Sequence, residues 1–188
     1  MRNVGILVMS IASFAFQDSL AASIGLYGSS DCSTCSVMLP AGGSTQIYIA
    51  ADGSGIPYGI EGAEFRATGL PVGWTAVSTP APAASVAIGD PFGSGANIAF
   101  SFDQFGSCIA LYSVVITANS AESEVRLRVE RADPPSRPQY ACPLLVANCP
   151  ACTPTICVSG GEMLVNSTLG CTVATEAVSW GALKSLFR

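Results

Sequence analysis

Glu124-Val-Arg-Leu-Arg-Val-Glu130 alternates apolar and charged residues without a break. A period of two is the mark of a half-buried β-strand, because successive side chains point to opposite faces. Val125, Leu127 and Val129 then face a core, while Glu124, Arg126, Arg128 and Glu130 face water. Just upstream, Cys108-Ile-Ala-Leu-Tyr-Ser-Val-Val-Ile-Thr-Ala118 is nearly all apolar and rich in β-branched residues. That composition predicts a central strand buried on both faces. Asn119-Ser120-Ala121 between the two stretches reads as a turn.

Working outward, the same grammar repeats. Ile24–Tyr27 is a short apolar start. Thr45–Ala51 places Ile47 and Ile49 on one face and Gln46 and Tyr48 on the other, and Asp52-Gly-Ser-Gly55 ends it. Gly62–Thr68 points Ala63, Phe65 and Ala67 inward and Glu64, Arg66 and Thr68 outward. Trp74–Val77, Val86–Ile88 and the face made by Ile98, Phe100 and Phe102 complete the set. No helical periodicity persists between residues 24 and 170. Short strands with Gly/Pro turns predict an all-β, immunoglobulin-like antiparallel β-sandwich over residues 23–131.

The flanks differ. Arg2 precedes an apolar run from Val4 to Phe16, and small residues follow at 19–23, which reads as a signal peptide over residues 1–22. That run is too short to span a bilayer comfortably, so no membrane span is expected after cleavage. Residues 132–188 open with the Pro-rich Ala132–Pro138, a linker or extended arm, and continue as a Cys-rich extension. Within it, Thr155–Val158, Gly160-Gly161 and Glu162–Val165 read as a small hairpin. Ser179–Arg188 reads as a short terminal helix with Trp180, Leu183 and Phe187 on one face. Trp180, Lys184 and Phe187 are candidates for a docking or sorting tail.

The eight cysteines, Cys32, Cys35, Cys108, Cys142, Cys149, Cys152, Cys157 and Cys171, all follow the leader. An even count in an exported chain predicts structural disulfides, whose pairing the sequence leaves open. Cys32–Cys35 and Cys149–Cys152 are both C-x-x-C pairs, a spacing that also suits zinc thiolates or a redox dithiol. An oxidising compartment and loop settings among Gly, Ser and Pro favour disulfides, and no metal or cofactor is expected.

Charged residues make up only 11% of the chain and the net charge is −5, which argues against nucleic-acid binding. There is no His, and Lys184 is the only Lys, so the usual general base and nucleophile pairs are missing. A hydrolase would need two carboxylates across a cleft. Glu61, Glu64, Glu122 and Glu124 fall at turn or solvent-facing positions instead. Asp31, Asp52, Asp90 and Asp103 are spread over loops, without the run of acids that marks a calcium loop. Asn166-Ser-Thr168 matches a glycosylation triplet. Tyr48, Tyr58 and Trp74 are the candidate ligand-binding aromatics, of a kind that stacks on sugar.

Ile60-Glu-Gly-Ala-Glu-Phe-Arg-Ala-Thr-Gly-Leu-Pro71, Leu111–Thr117 and Glu124–Val129 together resemble the strands of cohesin-like β-sandwiches over about residues 44–131. That resemblance implies a non-catalytic protein-binding module. The whole chain after the leader is similar to an uncharacterised family of secreted bacterial proteins. The shared features are the Ile24-Gly25 start, the Gly62-Ala-Glu-Phe65 strand, Cys157-Val-Ser-Gly-Gly-Glu162 and the Trp180-Gly-x-x-Lys184-x-Leu186 ending. It implies a bacterial source. The Cys-rich extension departs from true cohesins and puts dockerin binding in doubt. The expected function is a secreted or cell-surface, non-catalytic module that binds a protein. A carbohydrate-binding module is the alternative, and a two-carboxylate glycoside hydrolase the less favoured one.

Overall fold

The computed structural model describes residues 22–149 and 154–168. The expected leader up to residue 21, the terminal helix and the tail residues Trp180, Lys184 and Phe187 lie outside the described residues, as do Cys152 and Cys171.

Thirteen strands form two sheets. The smaller has the order β12-β1-β3-β8-β5, built from Ser159–Gly160 (β12), Ser23–Tyr27 (β1), Ser44–Asp52 (β3), Ile109–Thr117 (β8) and Thr75–Pro80 (β5). The larger runs through Thr155–Cys157 (β11), Leu144–Ala147 (β10), Ile60–Thr68 (β4), Val125–Glu130 (β9), Glu162–Val165 (β13) and Ser36–Val37 (β2). Gly95–Gln104 (β7) also pairs with β4, and Ala84–Asp90 (β6) pairs with β7. β10 and β9 take successive halves of β4, at Ile60–Glu64 and Arg66–Thr68.

The alternation read from the sequence sets the core. Ile47 and Ile49, Phe65, Leu111, Ile116 and Leu127 turn their side chains inward and are fully buried between the sheets. Each such side chain contributes roughly 1.5–3 kcal/mol by leaving water. β8 is central as expected, between β3 and β5, but it is not buried on both faces. Ala110 and Val115 are exposed, since no described residues cover them on the outer side of the smaller sheet. Phe102, expected inside, is 81% exposed. β7 carries extra residues against β4 between Ile60 and Gly62, and that bulge carries Phe102 out of the core register.

The Cys-rich extension is woven into both sheets. Of the disulfides, whose pairing the sequence left open, Cys142–Cys157 closes a loop within the extension. Backbone pairing also joins the extension to the rest: β10 on β4, β13 on β9, and β12 parallel to β1. The expected hairpin across Gly160-Gly161 does not form. β11 pairs with β10 while β13 pairs with β9, and the glycines cross from one sheet to the other. Gly161 N–H donates to Ile24 O at 2.8 Å, and Val129 N–H donates to Gly161 O at 3.0 Å. A Cβ at Gly160 would overlap the Val129 carbonyl, so the crossing has room only for glycine.

Candidate functional site

Strand β4 carries the site on its outer face. Its odd-numbered residues Ala63, Phe65 and Ala67 pack inward, as the sequence predicts. Glu64, predicted to face water, is instead 5% exposed. The cause is the Pro-rich stretch, which is an arm laid across the sheet. The Ser136 backbone N–H donates to Glu64 Oε1 at 2.8 Å, and the Ser136 hydroxyl donates to Glu64 Oε2. Arg66, on the same face, reaches Glu130 at 3.2 Å and Asp133 at 3.4 Å. Asp133 N–H donates to Ser94 O at 2.7 Å and fixes the arm's other side.

Beside this arm opens a groove of about 500 Å³. Cross-strand register explains its floor. Val86 lies opposite Ala99, Ile88 opposite Asn97, Glu64 between Asn97 and Leu144, and Gly62 between Ala99 and Val146. Gly62 lets the floor lie close, since a Cβ there would meet the Ile98 carbonyl oxygen at 2.6 Å. Val86 and Ile88 are 51% and 66% exposed, an apolar pair in water. Thr155 borders the far side, and its hydroxyl is buried without a hydrogen-bond partner among the described residues. A buried hydroxyl in that state is destabilising unless something supplies the missing bond. Glu61, Glu64 and Arg137 are the ionisable residues on the lining.

Glu61 and Glu64 both line the groove, yet both oxygens of Glu64 are held by Ser136, so it is not placed as an acid or a nucleophile. Glu122 accepts from the Ser120 hydroxyl at 3.2 Å, and Glu124 follows in a tight turn with φ 55°. The four aspartates expected in loops each accept a hydrogen bond, and Asp52, Asp90 and Asp103 fall within β3, β6 and β7. Asp31 accepts from Ser33, Asp52 from Ser54, Asp90 from Phe92 N–H and Ser78, and Asp103 from the Asn148 amide. Hydrogen bonds from the Ser29 and Ser33 hydroxyls hold the Asp31 carboxyl down at about 2.

The aromatic row expected from Tyr48, Tyr58 and Trp74 is not assembled. Trp74 is a core residue, 5% exposed, with its indole N–H donating to Ser120 O at 3.2 Å. Tyr48 is half-buried on the outer face of the smaller sheet, opposite Tyr27. Tyr58 stands exposed in the β3–β4 connection. Cys32 bonds Cys108 instead of joining Cys35 in a metal or redox pair, and Cys35 and Cys149 are disulfide-bonded too. Asn166 of the glycosylation triplet is a clamp. Its amide donates to Leu39 O at 2.8 Å and Glu122 O at 2.9 Å, and its oxygen accepts from Leu39 N–H at 2.6 Å. A glycan on that nitrogen would take away bonds the fold already uses.

The groove escaped the sequence reading because its walls come from both ends of the chain. Val86 and Ile88 were visible as one face of a strand. That Thr155 and Ser136 close the same face depends on β10 and β11 pairing beside β4, which no local pattern encodes.

The architecture is that of a cohesin-like β-sandwich. The seventh ScaB type I cohesin of Pseudobacteroides cellulosolvens superposes with a TM-score of 0.53 at 9% identity, covering 79% of this chain and 94% of that one. The sixth cohesin of scaffoldin B from Acetivibrio cellulolyticus, solved in complex with a Cel5 dockerin, gives 0.48 at 12% identity over 78% and 99%. A type III cohesin module from the ScaE cell-surface anchoring scaffoldin of Ruminococcus flavefaciens gives 0.46 at 15% identity over 79% and 89%. No protein-family description and no curated protein matches the sequence.

Proposed function

We propose that this chain is a non-catalytic protein-interaction module of an exported protein, secreted or held at the cell surface, whose partner seats in the groove beside Glu64. One observation carries the reading: a pre-formed floor on which Val86 and Ile88 stand in water beside the buried, unpartnered hydroxyl of Thr155. A protein surface with an apolar anchor and one hydrogen-bonding group would cover the first and satisfy the second. The disulfides Cys32–Cys108 and Cys142–Cys157 support an oxidising compartment. The likeness to the Pseudobacteroides cohesin supports the reading at the level of fold. The tail with Trp180, Lys184 and Phe187 serves as a docking or sorting element, and its deletion changes location without lowering the melting temperature.

The test is capture. The oxidised chain from Ala22 is immobilised and exposed to envelope and medium fractions of its source. Asn97→Arg, on the groove floor, and Gln46→Arg, on the opposite sheet, are run beside it. A protein that is retained by the parent and by Gln46→Arg but released by Asn97→Arg supports the reading. Retention indifferent to Asn97→Arg places the partner elsewhere. Retained polysaccharide without protein replaces this reading with carbohydrate binding.

A further inference from the structure

A second opening lies where the sandwich fails to close. Among the described residues, β5 ends the smaller sheet and pairs only with β8, while β6 pairs only with β7 at an edge of the larger sheet. The short turn at Ala81–Ala84, where Ala84 N–H donates to Ala81 O at 2.9 Å, holds these two edges on the same side. Between them is a cleft of about 300 Å³, lined by Ala76, Ser78 and Pro80 of β5 and by Ala87, Gly89 and Asp90 of β6.

Three features set it apart from an ordinary sandwich margin. First, every residue of β6 from Ser85 to Asp90 is exposed. Ala87 and Gly89 pair with the core-facing Ile98 and Ala96, yet the smaller sheet does not reach over them. Second, β6 has no proline, no lysine or arginine and no acid before Asp90. Edge strands are commonly protected by such residues, because their free N–H and C=O groups invite another strand. Third, Tyr112 lines the cleft and is 2% exposed, its ring edge-on to Phe65 with centroids 6.0 Å apart, and its buried hydroxyl has no hydrogen-bond partner among the described residues. Buried phenols are ordinarily satisfied.

We propose that this open side binds an extended peptide segment of a partner protein. The segment adds to the edge of β6, turns small side chains into the cleft and gives the Tyr112 hydroxyl its missing hydrogen bond. Backbone pairing to β6 supplies a ladder, and the small walls at Ala76, Ala87 and Gly89 restrict the inward side chains to the smallest. β5 is the poorer edge, since Pro80 lacks an N–H. Asp90 is the sole charged residue on the lining, which favours an uncharged or basic segment. The site is separate from the groove beside Glu64. Val86 and Ile88 serve that groove from one face of β6, and Ala87 and Gly89 serve the cleft from the other.

A displayed library of random ten-residue peptides, panned on the oxidised chain, supplies the probe. Selected peptides should protect the β6 backbone amides from hydrogen exchange. Ala87→Arg, at an exposed position, should weaken them at least about tenfold with an unchanged melting temperature. Tyr112→Phe should weaken them about fivefold, the loss of one hydrogen bond. It should leave stability equal or slightly higher, because it removes a buried polar atom that the free protein does not satisfy. Asn97→Arg should leave peptide binding intact, which keeps this result independent of the groove. An empty selection, peptides that bind without protecting β6, or indifference to Ala87→Arg overturns the proposal. Self-association lost in Ala87→Arg, with no peptide bound, would assign the edge to a second copy and also overturn it.

Discussion

The outer faces of the two sheets have different chemistry. Across the middle of the smaller sheet, Gln46, Tyr48, Ser113, Val115 and Val77 lie side by side with no ionised group among them. Ser44 and Thr117 hydroxyls meet at 2.8 Å at its end. On the larger sheet, Arg66, Arg126 and Arg128 face out, answered by Glu130, Asp133 and Glu162. Among the described residues, no strand or arm is laid across the first face. The second is where the chain doubles back over itself, and the arm at 133–137 turns Glu64 from a surface residue into an interior one. A sheet face is therefore inside or outside according to what the rest of the chain lays on it, and alternation alone does not say which.

The comparison is tested most severely at Glu64. Glu64→Ala leaves the Ser136 N–H without its acceptor and should lower stability by about 1.5–3 kcal/mol, as for hydrogen bonds to a buried charge. Denaturant unfolding reads the loss, and hydrogen exchange at Ser136 shows the arm released. The matched change Gln46→Ala should stay within about 0.5 kcal/mol. Equal effects at the two positions would erase the distinction.

The next contrast is in pH. Tyr27 lies on the smaller sheet's outer face, folded back over Gly25, and burial with the nearby Asp52 raises its pKa above 10.0. Burial and the charge of Asp90 raise Tyr112 likewise. Both phenols ionise more readily in the unfolded chain. Their contribution is therefore complete below about pH 10 and is lost as pH climbs through the raised values. Melting temperature should hold to about pH 10 and then fall, with phenolate absorbance rising in the same interval. A smaller fall in Tyr112→Phe would assign part of it to the core phenol.

The smallest effect belongs to Glu162, which takes Arg126 and Arg128 at 2.8 Å each across β9 and β13. Both arginines are about half exposed. Glu162→Gln should cost less than about 1 kcal/mol, and that cost should shrink in high salt. A salt-independent loss would mean that this half of the face is as enclosed as the half around Glu64.

Much of the fold was legible in the sequence. Val125, Leu127 and Val129 alternate, Ile47 and Ile49 alternate, and each set is core. These strands carry their own instruction, one face apolar and the other polar. The misread residues share a different cause. Phe102 looked inward until a bulge on β7 shifted its register, and Val115 looked buried because the other face of β8 is also apolar. Glu64 looked exposed until Ser136 arrived from far along the chain. Of the candidate site, the strand holding Val86 and Ile88 was legible as a strand. Thr155 and Ser136 were not, since their place depends on which strands pair.

The parallel contact of β1 with β12 has a consequence in time. Ser23 pairs with Ser159, so β1 waits for a partner made much later along the chain. Until Gly160 and Gly161 arrive, β1 has only β3 beside it, and its hydrophobic face at Ile24 and Leu26 has no lid from β13. Long-range pairing of this kind is slow, because chain entropy is lost before the contact repays it. The pairing of β1 with β12 thus comes late in folding, after the strands that lie between them in the chain are in place.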